Sequence, residues 1–283
     1  MTGDRETTPR QQLAGRIALV TGASKGIGRA LAVGLAAAGA DVAVGYHTDR
    51  AGAEAVARDI ESLGRRCLIH GGDVASVDAV RRLVADVVDR FGHIDILVNN
   101  AAIAGWAPAF ETDEDLWDSV MTTNLKGSFF CAVEAARNMA TTGGGAIVNI
   151  SSNIAALGVS NLSCYAASKA GLHAVTKHLA VELAPLGIRV NALAPGPTVV
   201  DRNLSDDPDY EATWGSVVPL GRAARPEEMV GATVFLASGD SSYITGQVLY
   251  ADGGWSSAGR APISHLADVA ARHQRRRTSG PDR

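Results

Sequence analysis

The chain has 283 residues, 46% of them hydrophobic and 20% charged, with a formal charge of −4. That is enough chain for one large α/β domain with a sizeable core, and its balance of charge argues against nucleic-acid binding by the whole molecule. The scattered cysteines Cys67, Cys131 and Cys164 form neither a disulfide framework nor a zinc spacing, no metal site is read, and no apolar run approaches the roughly 18 residues of a membrane span.

Residues 1–13 are polar, lack the apolar core of a secretory signal, and are expected to be a disordered lead-in to a cytoplasmic protein. Seven short apolar runs then follow: "RIALVT" (16–21), "DVAVGY" (41–46), "RCLIH" (66–70), "DILVNN" (95–100), "AIVNIS" (146–151), "IRVNALAP" (188–195) and "QVLYADG" (247–253). They are rich in Val, Ile and Leu and mostly do not alternate with polar residues, as expected of strands buried on both faces of a parallel sheet. Segments with helical periodicity lie between most of them, for example "GRALAVGLAAAG" and "DAVRRLVADVVDRFG". This alternation predicts an α/β fold with a doubly wound parallel sheet in a single domain over 14–255. Residues 256–283 are expected to be a partly disordered extension, with a short helix over 261–272 and a solvated basic end.

"TGASKGIG" (Thr21–Gly28) follows the first strand and opens the first helix. Gly22, Gly26 and Gly28 allow a tight turn and close approach of backbone to a ligand, and Ser24, Lys25 and Ile27 complete it. The helix N-terminus beyond suits a pyrophosphate. An acidic residue commonly ends the second strand where a free ribose 2′-hydroxyl is bound. Here that place falls near Tyr46 and His47, and His47, Thr48 and Lys25 suit a 2′-phosphate instead. NADP(H) is therefore favoured, with NAD(H) as the alternative. Asp73 is placed to meet an adenine amine or to cap a helix.

"SCYAASKAG" places Tyr165 four residues before Lys169, on one helix face with about 5–6 Å between Cβ atoms. An ammonium that close is expected to favour the phenolate, and each pKa unit of lowering corresponds to about 1.4 kcal/mol. The result would be an acid–base group for an alcohol or carbonyl. Ser151 and Ser152 end the fifth strand, where ligands bind in such sheets. Asn124 lies inside a helical stretch that does not favour asparagine, so a kink or a cap is the alternative reading.

With "NNAA", "NLKGSF", "YAASK", "LAPGP" and "YADGG" in order, residues 14–255 resemble the short-chain dehydrogenase/reductase family. The resemblance implies a Rossmann-type seven-stranded sheet and a catalytic set of Asn124, Ser152, Tyr165 and Lys169. Tyr165 would be the acid–base, Lys169 would hold the nicotinamide ribose and lower the tyrosine pKa, Ser152 would orient the substrate oxygen, and Asn124 would hold a relay water. Asp73 and Val74 would meet the adenine, Asn100, Ala101 and Ala102 the adenosine ribose, and Pro195, Gly196 and the Thr198 backbone the nicotinamide. The chain departs from the family in having Ala102 for a usual glycine, and Val200 where a threonine often holds the nicotinamide amide.

The stretch 198–220 is polar and loop-like, and is read as a lid. Trp106, Leu157, Asn161, Tyr210 and Trp214 are candidate walls of a substrate pocket, ordinary packing being the alternative role of each. The expected activity is NADP(H)-dependent hydride transfer between nicotinamide and a secondary alcohol or ketone, as in a 3-oxoacyl reductase or a glucose-type sugar dehydrogenase. A non-catalytic dinucleotide-binding scaffold or redox sensor is the alternative of another class. The expected partners are a small-molecule substrate and further copies of the chain in a homodimer or homotetramer, with no nucleic acid and no membrane.

Overall fold

The computed structural model describes residues 11–258. The strands are β1 (Ile17–Val20), β2 (Asp41–Tyr46), β3 (Cys67–Gly71), β4 (Ile96–Asn99), β5 (Gly145–Ile150), β6 (Ile188–Pro195) and β7 (Val248–Ala251). All pair in parallel, in the order β3-β2-β1-β4-β5-β6-β7. The chain first winds outward from β1 to β3 and then crosses back to β4. The reversal opens a crevice beyond the C-terminal ends of β1 and β4, where ligands of such sheets bind.

Successive strand side chains point to opposite faces, so each inner strand feeds two cores. Ala18 and Val20 pack with Leu31, Leu35, Val56 and Ile60, from α1 (Gly26–Ala37) and α2 (Arg50–Ser62). Ile17 and Leu19 pack on the other face, with Val80, Val87, Ala132 and Leu179. Those residues come from α3 (Val77–Phe91), α5 (Ser128–Met139) and α6 (Ser163–Leu183). Between α3 and α5 lies α4 (Glu114–Met121).

Four features differ from the sequence reading. The edge strands are not buried on both faces, since each has only one neighbour; β3 is half-buried, and Leu249 and Tyr250 of β7 are 40% and 38% exposed. The lid is helical in part, with α7 (Asp201–Asp206) and α8 (Tyr210–Gly215) ahead of α9 (Glu228–Ala237). Helices of six residues are too short to show a periodicity. The run from α4 to α5 passes through a π-helical turn at Thr122–Gly127 that centres on Asn124. The packed fold also begins before residue 14, because Leu13 is buried and its N–H donates to the carbonyl of Ala38 at 2.9 Å. Most of the expected lead-in, the expected helix at 261–272 and the basic end lie outside the described residues.

Candidate active site

The glycine turn is shaped by its neighbours. Gly22 and Gly26 have φ of +62° and +56°, a region that L side chains avoid. A Cβ on Gly22 would stand 2.7 Å from the Ala101 Cα, and one on Gly28 would collide with the Gly22 carbonyl and the Asn100 amide. The end of β4 grips this turn. Asn100 Nδ2 donates to the carbonyls of Thr21 and Gly22 at 3.0 and 2.8 Å, and Thr21 Oγ1 accepts from the N–H groups of Asn100 and Ala101.

Side chains of Asp49, Ser76 and Asp113 cap α2, α3 and α4, but Lys25 gives α1 no side-chain cap. The first-turn N–H groups of α1 are thus left for a ligand, and the glycine cradle leaves room for one. This donor set fits the pyrophosphate of a dinucleotide.

At the end of β2, His47 and Thr48 are exposed, as is Lys25 across the crevice. The Asp49 carboxylate is committed to the Gly52 N–H at 2.9 Å, and Arg50 to Glu54 at 2.8 Å. Asp73 accepts from the Ala75 N–H at 2.9 Å, so its capping role is present. Val74 packs its carbonyl so close to Gly127 that a Cβ there would come within 2.8 Å. Ser24 and Ile27 are half-buried along the turn, and Ala102 is exposed at the crevice.

Three consecutive residues at the end of β5 meet three successive turns of α6. Ser152 works to lower the Tyr165 pKa, and its Oγ accepts from the Ile154 N–H at 3.2 Å. Lys169 Nζ donates to the Ile150 carbonyl at 2.8 Å and lies 5.7 Å from the centroid of the Tyr165 ring. Ser151 Oγ is 2.7 Å from His173 Nε2 and donates to the Lys169 carbonyl at 3.3 Å. Burial drives the Lys169 ammonium down to about 8.

The expected lowering of Tyr165 by Lys169 is not found. Burial pushes the phenol up, opposed by the Ser152 hydrogen bond and the Arg202 guanidinium rather than by the lysine. The ammonium instead points under the ring, toward the main chain of β5.

Asn124 is fully buried, and its role is to dock a loop. Its Oδ1 accepts from the Ile103 N–H, and its Nδ2 donates to the Ile103 carbonyl, both at 2.9 Å. Nδ2 also donates to Ser168 Oγ at 3.1 Å, next to Lys169. The side chain therefore fixes the loop after β4 against α6. The kink offered as the alternative reading is the π-helical turn itself.

Beyond β6, Pro195 and Gly196 pack against β7, where a Cβ on Gly196 would stand 2.7 Å from the Asp252 Cα. Asp252 accepts from Asn153 Nδ2, Gly254 N and Ser256 N. Burial works to raise its pKa, but these hydrogen bonds win and hold the carboxyl below the usual range. Thr198 is buried and turns its hydroxyl to the Gly196 carbonyl at 3.0 Å, while its own carbonyl accepts from Asn203 Nδ2 at 2.9 Å.

Of the expected pocket walls, Tyr210 and Trp214 stand 5.7 Å apart, and Trp214 continues to Trp255 at 5.3 Å. Burial raises the Tyr210 phenol, and Tyr165 acts on it in the same direction. Trp106 is 54% exposed, Leu157 is half-buried, and the exposed Asn161 has a φ of +65°. The Asn161 carbonyl accepts from the Ala107 N–H at 3.0 Å, so Trp106 and Asn161 flank one junction.

Sequence reasoning missed Ile103, Asn153, Ser168, His173, Asp252 and Trp255 as parts of the site. Only "YADGG" carried a signal, for Asp252 and the tryptophan just after it. Among the described residues no helix is long and apolar enough to cross a membrane, and no group of three His, Cys, Asp or Glu side chains could hold a metal.

The sequence model of the enoyl-(acyl carrier protein) reductase family matches residues 22–256. The chain is 42% identical to cis-4-hydroxycyclohexanecarboxylate dehydrogenase of Sinomonas cyclohexanicum, over 87% of this chain and 99% of that one. It is 40% identical to a 3-oxoacyl-[acyl-carrier-protein] reductase of Staphylococcus aureus, over 84% and 96%. The crystal structure of a gluconate 5-dehydrogenase from Burkholderia cenocepacia, in complex with NADP and tartrate, superposes with a TM-score of 0.83 at 38% identity. That match covers 89% of this chain and 99% of the other. Glycine cradle, serine–tyrosine–lysine ladder and matched relatives agree: the chain belongs to the short-chain dehydrogenase/reductase family and is an NAD(P)-dependent oxidoreductase of alcohols and ketones.

Proposed function

We propose that the protein interconverts a ketone and a secondary alcohol with NADP(H), using Tyr165 as the acid–base group. The observation that carries this is the Lys169 ammonium, held by the Ile150 carbonyl 5.7 Å from the centroid of the Tyr165 ring, with Ser152 acting on the phenol. The bound nicotinamide supplies or accepts the hydride. In the reducing direction Tyr165 gives its proton to the carbonyl oxygen, and Ser152 orients that oxygen by a hydrogen bond. A phenol raised by burial is protonated at neutral pH, which suits it to act as the acid. Lys169, charged below about pH 8 and tied to the Ile150 carbonyl, would hold the nicotinamide ribose beside the ring. Asn124 keeps the loop after β4 seated beside it.

The glycine turn, with Ser24, Lys25 and Ile27, would hold the pyrophosphate, and Asp73 with Val74 the adenine. Asn100, Ala101 and Ala102 would line the ribose. Pro195, Gly196 and the Thr198 backbone would meet the nicotinamide. Preference for NADP(H) over NAD(H) rests on the commitment of Asp49 to its helix cap, which leaves His47, Thr48 and Lys25 to face a 2′-phosphate. That NADP is the dinucleotide in the Burkholderia structure supports the same choice. Absorbance at the nicotinamide band with a panel of ketones and alcohols tests the activity, and turnover with none of them would refute it.

The same reading includes a homodimer or homotetramer. Val181 of α6 and Leu249 and Tyr250 on the edge strand are exposed, and Met121, Leu125, Phe129, Phe130 and Val175 line an apolar groove of about 420 Å³. Analytical ultracentrifugation checks this, a monomer at micromolar concentration being the contrary result. The three free thiols fit the reducing cytoplasm.

A further inference from the structure

His173 lies one turn of α6 beyond Lys169 and has no part in the proton transfer proposed above. Its Nε2 is nevertheless 2.7 Å from Ser151 Oγ, and the same hydroxyl donates to the Lys169 main-chain carbonyl at 3.3 Å. Ser151 is fixed in turn from β6, its N–H donating to the Leu193 carbonyl at 2.7 Å.

Lys169 is therefore held at both ends by neighbouring residues of one strand end. Its Nζ donates to the Ile150 carbonyl at 2.8 Å, and its own carbonyl accepts from Ser151 Oγ. A histidine that only filled space would need none of these contacts.

The protons give the chain of bonds a direction. A hydroxyl has one proton to give, and a carbonyl can only accept. With the Ser151 proton given to Lys169, the short contact is filled by His173 donating from Nε2. Burial, with the charges of Lys177 and Lys169, lowers the His173 pKa, so the ring is neutral at pH 7 and its one proton sits on Nε2. Tyr250 of β7 stands edge-on to the ring, with centroids 6.2 Å apart and planes at 89°, which packs the edge strand against it.

We propose that His173 is a positioning residue of the reaction. By donating to Ser151 it fixes Lys169 on the end of β5, and with it the ammonium that would hold the nicotinamide ribose beside Tyr165. This rests on Tyr165 and Lys169 being the reactive pair, and it adds the residue that sets one of them in place.

Two amides of like polarity separate this role from packing. Glutamine reaches as far as Nε2 and can supply an N–H there, whereas asparagine reaches only as far as Nδ1. His173→Asn should lower kcat about 3- to 10-fold, the loss expected of one hydrogen bond, with the KM of the ketone unchanged. NADPH binding in fluorescence titration should weaken by a similar factor. His173→Gln recovers both to within about twofold of native protein. In a Ser151→Ala background the difference between the two amides disappears. Equal effects of the two amides, a change confined to the ketone KM, or a difference that survives in Ser151→Ala overturns the proposal. Should His173→Asn not fold, Ser151→Ala stands in for it with the same expected losses, and no loss there overturns the proposal. Turnover of no ketone by native protein sinks the oxidoreductase reading instead, and the NADPH titrations then decide for His173. Binding weakened in His173→Asn and restored in His173→Gln upholds it, and equal binding in all three proteins overturns it.

Discussion

Lys169 Nζ donates to the carbonyl oxygen of Ile150 at 2.8 Å, which ties the middle of α6 to the last residue of β5. The bond is flanked by the Ser151–His173 contact on one side and, on the other, by Ser152, which acts on the Tyr165 phenol. Residues 165, 169 and 173 lie four apart on one helical face, and 150–152 are consecutive. A slip of one residue between strand and helix would separate all three pairs, so the register of this strand end sets the geometry of the acid–base group.

Burying an ammonium has a consequence for stability against pH. Lys169 loses its proton at about 8 in the folded protein, against an ordinary 10.5. Between these values the unfolded chain binds more protons than the folded one, so this lysine makes stability rise with pH. Below about pH 8 it is charged in both states, and the cost of burial is felt in full. Urea unfolding should therefore show the native protein gaining on Lys169→Met between pH 8 and pH 10. A difference that stays flat over this window would mean that the lysine is not desolvated.

Ser151 and His173 should behave as one unit. Burial, with the charges of Lys177 and Lys169, lowers the His173 pKa, so the ring is neutral at pH 7 and partners Ser151. Ser151→Ala and His173→Ala are each expected to lower kcat about 3- to 10-fold, and the double variant no further than the worse single. Effects that multiply in the double variant would show that the two residues act separately.

Cofactor choice turns on the end of β2. NADPH should bind more tightly than NADH by fluorescence titration. His47→Asp places a carboxylate where a ribose hydroxyl is welcome and a 2′-phosphate is repelled, and should cut the NADPH-to-NADH affinity ratio about tenfold or more. A native preference for NADH would refute the reading of His47 and Thr48.

Two glycines of like conformation separate turn strain from crowding. Gly22 and Gly64 have φ of +62° and +73°, but a Cβ on Gly22 would meet Ala101 while one on Gly64 meets nothing within 4 Å. Gly64→Ala should cost about 1–2 kcal/mol of stability and leave dinucleotide affinity intact. Gly22→Ala should lower Tm further and abolish binding, because it displaces the end of β4. Equal losses in the two variants would mean that the Gly22–Ala101 approach is not what shapes the turn.

Much of this was legible in the chain. The apolar runs at 16–21, 41–46 and 188–195 foretold β1, β2 and β6 to within a residue, because buried parallel strands carry an unbroken hydrophobic signature. The exposure of β3 and β7 was not, since a strand's place at the edge depends on sheet order, which no local pattern encodes. Tyr165 and Lys169 were legible as one helical face, but not the burial that raises the phenol or the Ile150 carbonyl that claims the ammonium. Asn124 stood out by its poor fit to a helix, whereas its partner Ile103 lies 21 residues away and could not be inferred from it.

The claim beneath all of these is that the Tyr165 hydroxyl moves the proton. Turnover of a ketone at saturating NADPH by native protein and Tyr165→Phe tests it most directly, with NADPH fluorescence as the control for binding. Removal of a general acid should lower kcat about 100- to 10,000-fold while NADPH still binds. Turnover by Tyr165→Phe equal to that of the native protein would contradict the account.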